Sequence, residues 1–286
     1  SIRRQRQMCI RDRNRYILKT TTRNKDLISY DTLYVDLSLS SSIADIQLND
    51  VDIAIFCASI TSQKKCQLEP KYSRLVNVTG TLFLMKRLVE NNIFVIFPST
   101  SLVYDGSSSY QGLLNLVNPV GNYAAFKYDV EKEITKSYFK NVAILRISKI
   151  IHDIYPLFLD WNQALINNED VFPFKDLLFS PVSISFVTEV INTIILKKST
   201  GIFNLSSSDN ISYLEALTYF AKYSNYSLSN VNPSFAKEFI EDIDLPKYTT
   251  MDCSKILDLG FNIPKSDDAL DYFIKKNDLI KINSSK

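Results

Sequence analysis

Short apolar runs alternate with longer segments of helical periodicity along the first half of the chain. The apolar runs predict five strands, at residues 16–20, 33–37, 52–58, 92–98 and 142–147, of which the third and fourth are of the buried type. Between them, apolar residues recurring every three or four positions predict helices at 42–48, 70–91 and 123–138. This alternation is typical of a parallel sheet covered by helices. We therefore expect an α/β fold with a doubly wound, Rossmann-type sheet.

The pattern loosens after about residue 150. Helices are predicted at 156–168, 186–197, 212–223 and 264–276, with one further strand at 201–205. We predict a Rossmann core over 14–150 and a smaller α/β C-terminal lobe, which would bind substrate, over 151–286. Neither an internal repeat nor a low-complexity linker separates them.

The formal charge of +2 is unevenly distributed. Residues 1–13 hold five arginines and one aspartate, which leaves 28 basic and 30 acidic residues in the rest. A basic arm is one interpretation of this segment, and a secretory leader lacks its apolar region. Residues 8–13 resemble the translation of a sequencing adaptor, so we favour a non-native segment in an N-terminally truncated fragment. The remaining chain is too weakly charged to predict a nucleic-acid partner.

The number and spacing of the cysteines and histidines argue against several kinds of site. Cys9, Cys57, Cys66 and Cys253 are scattered, and His152 is the single histidine. No metal-ligand spacing results, and no metal site is predicted. No apolar run has the length that a membrane span requires. Without an export signal or paired cysteines, the expected location is the cytoplasm.

Glycine is missing where a dinucleotide-binding loop would lie. Such a loop reads Gly-x-Gly-x-x-Gly after the first strand, and the first glycine here is Gly80. If 16–20 is the second strand of the fold, then the first strand, the loop and the first helix are absent from this chain. The alternative is a Rossmann-like domain that never bound a dinucleotide. Either way, these 286 residues are predicted to bind NADP weakly or not at all.

A Tyr-x-x-x-Lys pair is the main candidate for chemistry. Tyr123 and Lys127 lie four residues apart in a predicted helix, which places them on one face. A nearby ammonium would lower the pKa of the phenol and suit it to proton transfer. Ser99, Thr100 and Ser101 follow a predicted buried strand, at the edge of the sheet where ligands bind. With 16 tyrosines in the chain, a chance match on a solvated helix is the alternative.

Together these segments resemble the extended short-chain dehydrogenase/reductase family. The likeness is greatest to its dTDP-4-dehydrorhamnose reductases and related NAD-dependent epimerases and dehydratases. It spans about residues 14–275 and is carried by five segments: 76–81 (VNVTGT), 98–106 (PSTSLVYDG), 118–127 (NPVGNYAAFK), 201–216 and 246–260. One departure is Ser101-Leu102, where the reductases have Asp-Tyr after the catalytic threonine.

The resemblance implies roles for individual residues. Tyr123 would be the general acid/base, Lys127 would hold the nicotinamide ribose, and Thr100 would supply the catalytic hydroxyl. Asn77 matches an asparagine of the core, where it would act either as a structural tie between helix and sheet or as part of the catalytic set. The resemblance also implies cofactor contacts at five further positions. Asp36 and Leu37 would contact the adenine, and the segment of Cys57, Ala58 and Ser59 would pack on the cofactor.

Arg23 bears on the choice of cofactor. It follows the predicted strand 16–20, where a cation suits the NADP phosphate and a carboxylate would suit NAD. We therefore predict NADP over NAD. The resemblance implies an NAD(P)-dependent reductase of a 4-keto nucleotide sugar, with a homodimer as the candidate assembly. A nucleotide-sugar 4-epimerase and a catalytically silent binding protein are the alternatives.

Overall fold

The structure is a computed structural model that describes residues 16–113, 115–240 and 245–277. The segment 1–13, predicted to be non-native, lies outside these residues. Two compact units interleave along the chain. The first comprises the described residues up to Val103, with Pro119–Arg146 and Thr188–Phe203; the second comprises Tyr104–Asn118, Ile147–Val187 and the described residues from Asn204. The ranges 14–150 and 151–286 stay a prediction as functional domains.

Six strands form a two-stranded sheet and a four-stranded sheet. Strands β1 (Thr20–Thr22) and β2 (Thr32–Tyr34) pair in parallel, with Thr21 opposite Leu33. A four-stranded sheet contains, in spatial order, β3 (Ile53–Ile55), β4 (Phe94–Thr100), β5 (Val142–Ile147) and β6 (Gly201–Leu205). β3 and β4 are parallel, with Ala54 opposite Val95. Two-residue ladders join Ile150–Ile151 to Val182–Ser183 and Leu178–Phe179 to Ile211–Ser212.

Helices connect these strands. They are α1 (Ser40–Ala44), α2 (Gln63–Leu68), α3 (Pro70–Arg74), α4 (Thr81–Glu90), α5 (Gly121–Ser137), α6 (Pro156–Asn167), α7 (Ile184–Lys197), α8 (Tyr213–Tyr223), α9 (Ser254–Asp258) and α10 (Ser266–Lys276). A π-helical segment, Leu75–Gly80, joins α3 to α4. Several boundaries follow from local chemistry: a proline opens α3 and α6, and Ser212 with Glu215 forms a capping box on α8.

Each unit has its own apolar core. In the first unit, alternate residues of β4, such as Val95 and Phe97, pack with α4 and α5 through side chains such as Met85 and Ile134. In the second, α6, α8 and α10 pack around Phe158, Phe220 and Phe273. β4 and β5 are buried on both faces, as continuous apolar runs in a helix-covered sheet predict.

The predicted fold class is confirmed: the chain is an α/β protein with a Rossmann-type sheet. The first predicted strand is displaced. It lies at Thr20–Thr22 instead of 16–20, because the threonines pair with β2 while Ile17 is 94% exposed. Among the described helices, none is long and apolar enough to cross a membrane. The described residues also include no group of three or more His, Cys, Asp or Glu placed to hold a metal ion.

Candidate active site

The carboxyl end of β4 carries the hydroxyl predicted to be catalytic. Thr100 is the last residue of the strand and is 8% exposed. Its Oγ1 accepts a hydrogen bond of 3.2 Å from the backbone N–H of Leu102, in the 3-10 turn that follows. Since that bond uses the oxygen as acceptor, the hydroxyl hydrogen is left to donate, and within the described residues it has no acceptor. Thr100 can thus offer a proton to an oxygen placed beyond the strand.

Helix α5 begins close to this strand end. The backbone N–H of Val120 donates to Leu102 O over 2.9 Å, which ties the start of the helix to the turn after β4. Gly121 follows with φ of +76°, a left-handed value that glycine adopts at little cost. The next turns of the helix carry Tyr123 and Lys127 on the face that packs on the sheet.

Lys127 is buried against β4. Its side chain is enclosed, and Nζ donates a 2.8 Å hydrogen bond to Pro98 O while lying 4.6 Å from the centre of the Phe97 ring. Burial lowers the pKa of this ammonium to about 8, although the nearby Cys57 and Glu131 oppose the shift. The predicted cofactor segment and the predicted catalytic lysine are therefore in electrostatic contact through Cys57.

Tyr123 is partly buried against the core of the first unit. Burial, with a further contribution from the neighbouring Cys66, raises the pKa of its phenol to about 12. The expectation that Lys127 lowers this pKa was wrong: desolvation dominates, and the ammonium is directed at Pro98. In the described part of the chain, the phenol makes no hydrogen bond to Thr100 or Lys127.

The segment after β3 is held in place by one asparagine. Cys57 is exposed, and Ala58 and Ser59 are half-buried. Asn77 Oδ1 accepts from Ile60 N at 2.8 Å and from Ser59 Oγ at 3.1 Å, while Nδ2 donates to Ile60 O at 2.9 Å. Asn77 lies in the π-helical segment, a conformation that is often found at functional sites. Of the two interpretations of this residue, the structural tie accounts for all these contacts.

The predicted adenine contacts lie just beyond β2. Asp36 is half-buried and accepts hydrogen bonds from Ser38 N at 2.8 Å and Ser38 Oγ at 2.7 Å. Burial opposes its charge, but these bonds and the Arg23 guanidinium lower the pKa of the carboxyl. Arg23, predicted to select the cofactor, is exposed beyond the end of β1. The structure thus brings Arg23 and Asp36 into electrostatic contact.

Leu37 is 4% exposed and belongs to the core, so its side chain faces inward. Its carbonyl oxygen lies 1.9 Å from where a Cβ on Gly80 would be. Only glycine permits that approach between the π-helical segment and the loop after β2. Any adenine contact made by Leu37 would therefore involve its backbone.

Two features of the site were missed by reasoning from sequence. Glu131, one turn after Lys127, forms a buried ion pair with Arg146 of β5, in which Arg146 Nη2 donates a 2.6 Å hydrogen bond to Glu131 Oε2. Cys66 is fully buried beside Tyr123. Charged residues inside otherwise apolar patterns were the available signal for the pair. A cavity of about 400 Å³ also lies beside α1 and β2, but its walls, which include Lys25, Tyr34 and Ser42, contain no predicted site residue.

The fold of this chain is similar to that of several solved enzymes. A dTDP-4-dehydrorhamnose reductase from Yersinia enterocolitica is similar over 96% of this chain and 95% of its own, with a TM-score of 0.83 and 19% identity. The enzyme of that name from Bacillus anthracis, in complex with NADP, matches over 88% and 93%, with a TM-score of 0.77 and 19% identity. UDP-glucose 4-epimerase from Thermus thermophilus, in complex with NAD, matches over 87% of both chains, with a TM-score of 0.71 and 16% identity.

The family model described as the RmlD substrate binding domain matches residues 15–278. The chain therefore belongs to the RmlD substrate binding domain family, which confirms the resemblance carried by its motifs. No curated protein matches it in sequence.

Proposed function

We propose that this protein is an NAD(P)-dependent enzyme that reduces the keto group of a 4-keto nucleotide sugar. One observation carries the proposal: the buried ammonium of Lys127 is bound to Pro98 O, two residues before Thr100, on the helix that also carries Tyr123. Burying an ammonium costs free energy of desolvation, and buried charged groups of this kind are concentrated at catalytic sites. The family and the enzymes of similar fold supply the reaction class.

Several residues of the chain would contact parts of a nicotinamide dinucleotide, although no glycine-rich loop precedes β1 in this sequence. Arg23 presents an exposed cation beyond β1, suited to the additional phosphate of NADP. Asp36 and Leu37 would border the adenine, and the segment of Cys57, Ala58 and Ser59 would pack on the ring system. Lys127 would hold the nicotinamide ribose. When bound, NADPH would supply the hydride for the keto carbon.

Tyr123 would donate the proton. With a pKa raised to about 12 by burial and by Cys66, its phenol is protonated throughout the neutral range. That is the form which can protonate a keto oxygen as the carbonyl is reduced.

Thr100 would orient the keto oxygen. Its hydroxyl oxygen is engaged by Leu102 N, so its hydrogen is available to the substrate. A hydrogen bond from Thr100 and a proton from Tyr123 would converge on one oxygen, and such fixed donors are effective because they need no rearrangement during the reaction.

The test is NADPH oxidation by the 286-residue protein with a dTDP-4-keto-6-deoxy sugar. NADPH is supplied at millimolar concentration, because no glycine-rich loop precedes β1 in this sequence. At that concentration weak binding still permits turnover, and we expect a loss of roughly 10²- to 10⁴-fold in kcat for Tyr123→Phe. Tyr128→Phe, on the same helix, is the matched control and should retain activity.

Three results would count against the proposal. Full activity of Tyr123→Phe would remove the tyrosine from the mechanism. Interconversion of 4-hydroxyl epimers without net NADPH oxidation, followed by NMR, would identify an epimerase. Dinucleotide binding without turnover of any keto sugar would support a binding protein instead.

A further inference from the structure

The ion pair of Glu131 and Arg146 is shut off from solvent. The two side chains are 2% and 4% exposed, and Arg146 Nε lies 3.1 Å and 3.2 Å from the two carboxylate oxygens. Arg146 Nη2 donates to Glu131 Oε2 over 2.6 Å and completes a bidentate contact. The pair joins the middle of α5 to β5, inside the first unit.

Stability alone is a weak reason for such a pair. Removing two charges from water costs about as much as their attraction returns, and apolar residues of similar volume often stabilise a protein as well or better. The neighbouring strand residues, such as Ile144 and Leu145, show that this position of the sheet accommodates apolar side chains. We therefore look for a role of this buried pair other than stabilising the fold.

Helical geometry relates the pair to the site. Tyr123, Lys127 and Glu131 are spaced four residues apart, so they lie on successive turns of one face of α5. Lys127 and Glu131 are both buried on that face, and residues four apart are about 6 Å apart along the axis. The carboxylate is therefore the fixed counter-charge one turn behind the lysine.

Among the described residues, two ionisable groups act directly on the charge of Lys127. Cys57 faces it from the loop after β3 and Glu131 from its own helix, and both fields favour the ammonium. The elements of β4 packed on it, the Phe97 ring and Pro98 O, carry no net charge. Glu131 thus supplies the one carboxylate among these groups, since the other group, Cys57, is a thiol and an intrinsically weaker acid.

We propose that Glu131, held by Arg146, is a positioning residue that keeps Lys127 charged and directed at the end of β4. The proposal rests on the proposed function, in which the Lys127 ammonium holds the nicotinamide ribose. Arg146 acts one step further away, by fixing the carboxylate so that it neither rotates away nor binds a proton.

The direct test follows the titration of Lys127 by NMR of the lysine ¹³Cε resonances, with Lys127→Arg used for assignment. Glu131→Gln should lower the Lys127 pKa by about one pH unit, because an amide no longer offsets the cost of burying the ammonium. Glu131→Asp retains the charge and should restore most of the shift. Asp129→Asn is the matched control: Asp129 lies on α5 and pairs with Arg74 at 2.6 Å, but on the exposed side, and should leave Lys127 unchanged.

Activity provides the second readout. The alkaline limb of the kcat/KM profile should move down with the Lys127 pKa, so that NADPH binding by Glu131→Gln above that pH weakens roughly tenfold. An unchanged Lys127 titration in a folded Glu131→Gln protein would show the pair to be a structural tie and overturn the proposal. If wild-type protein turns over no keto sugar, the proposed function fails, while the NMR titration still decides the role of Glu131.

Glu131→Gln leaves Arg146 without its carboxylate and is at risk of not folding. The double variant Glu131→Gln, Arg146→Gln removes both charges and leaves two amides that can bond to each other. It should lower the Lys127 pKa less than the single variant does, because the repulsion from Arg146 is removed as well. Equal pKa values for Lys127 in the double variant and in wild-type protein, with no change in the alkaline limb, would contradict the proposal.

Discussion

The Lys127 ammonium donates a 2.8 Å hydrogen bond to the main-chain oxygen of Pro98. This bond connects the helix that carries Tyr123 to the strand that carries Thr100, within one compact unit. The three residues predicted to act together are therefore held on elements that share a core. A tie of this kind limits their relative movement, which a site of proton transfer requires.

Replacing the lysine should stabilise the protein while it abolishes activity. Burial lowers the pKa of Lys127 from 10.5 to about 8, so the folded state disfavours the ammonium. Lys127→Met should raise the free energy of unfolding at pH 7 by about 1–3 kcal/mol, less the cost of leaving Pro98 O unpaired. Urea denaturation measures this difference.

The pH dependence follows from the sign of the shift. Below pH 8 the lysine is protonated in both the folded and the unfolded protein, so the buried ammonium destabilises the wild type to the full extent. Between the folded pKa of about 8 and the unfolded pKa of 10.5, the unfolded protein binds more protons, so the stability of the wild type rises with pH. The advantage of Lys127→Met should therefore be full below pH 8 and vanish above 10.5. A constant difference from pH 6 to 11 would mean that the lysine is not desolvated.

Asn77 should contribute to both stability and cofactor binding. Asn77→Ala removes the partners of Ile60 N, Ile60 O and Ser59 Oγ, and we expect a loss of about 2–4 kcal/mol in the free energy of unfolding. NADPH affinity should fall as well, because the segment after β3 loses its anchor. Asn91→Ala is the control, since that exposed side chain donates to Arg87 O of its own helix and, within the described residues, to nothing in the segment after β3. Equal losses from both variants would contradict the anchor.

Gly80 should tolerate no side chain. In Gly80→Ala the new Cβ would lie 1.9 Å from Leu37 O and 2.7 Å from its carbonyl carbon, both of them backbone atoms that cannot rotate away. We expect a loss of about 3 kcal/mol or more, measured by thermal unfolding. Gly121→Ala separates conformation from crowding: its φ is +76° but a Cβ there meets nothing within 4 Å, so it should cost only about 1–2 kcal/mol.

Arg23 should select between the two dinucleotides. Arg23→Ala should weaken NADPH binding about tenfold or more and leave NADH binding nearly unchanged, because only NADPH carries the phosphate for which the guanidinium is suited. Fluorescence titration with each dinucleotide measures this. Lys25→Ala removes a cation two residues away that lies over the Tyr34 ring, and it should alter neither affinity. Unchanged NADPH affinity in Arg23→Ala would refute the assignment.

Much of the local structure was predictable from the sequence. The run at 142–147 and the run at 201–205 form β5 and β6 with the predicted bounds. The helix that carries Tyr123 and Lys127 begins two residues before its predicted start. These elements are determined by short-range preferences and by burial of one face, both of which a periodic pattern records.

The strand near Thr20 was displaced because its limits depend on pairing with β2, which lies about ten residues further along and leaves no mark in local periodicity. The division into two units also depends on contacts between distant parts of the chain: Thr188–Phe203 packs with the first unit although it lies far along the chain.

By itself, the sequence determined the fold class and the order of strands and helices, and it singled out Thr100, Tyr123 and Lys127. Only the tertiary structure decided their electrostatics. It showed that burial, which is a property of neighbours distant in the chain, raises the pKa of Tyr123 and lowers that of Lys127. It also brought Arg146 to Glu131, because a charge is buried only where a partner from another element meets it.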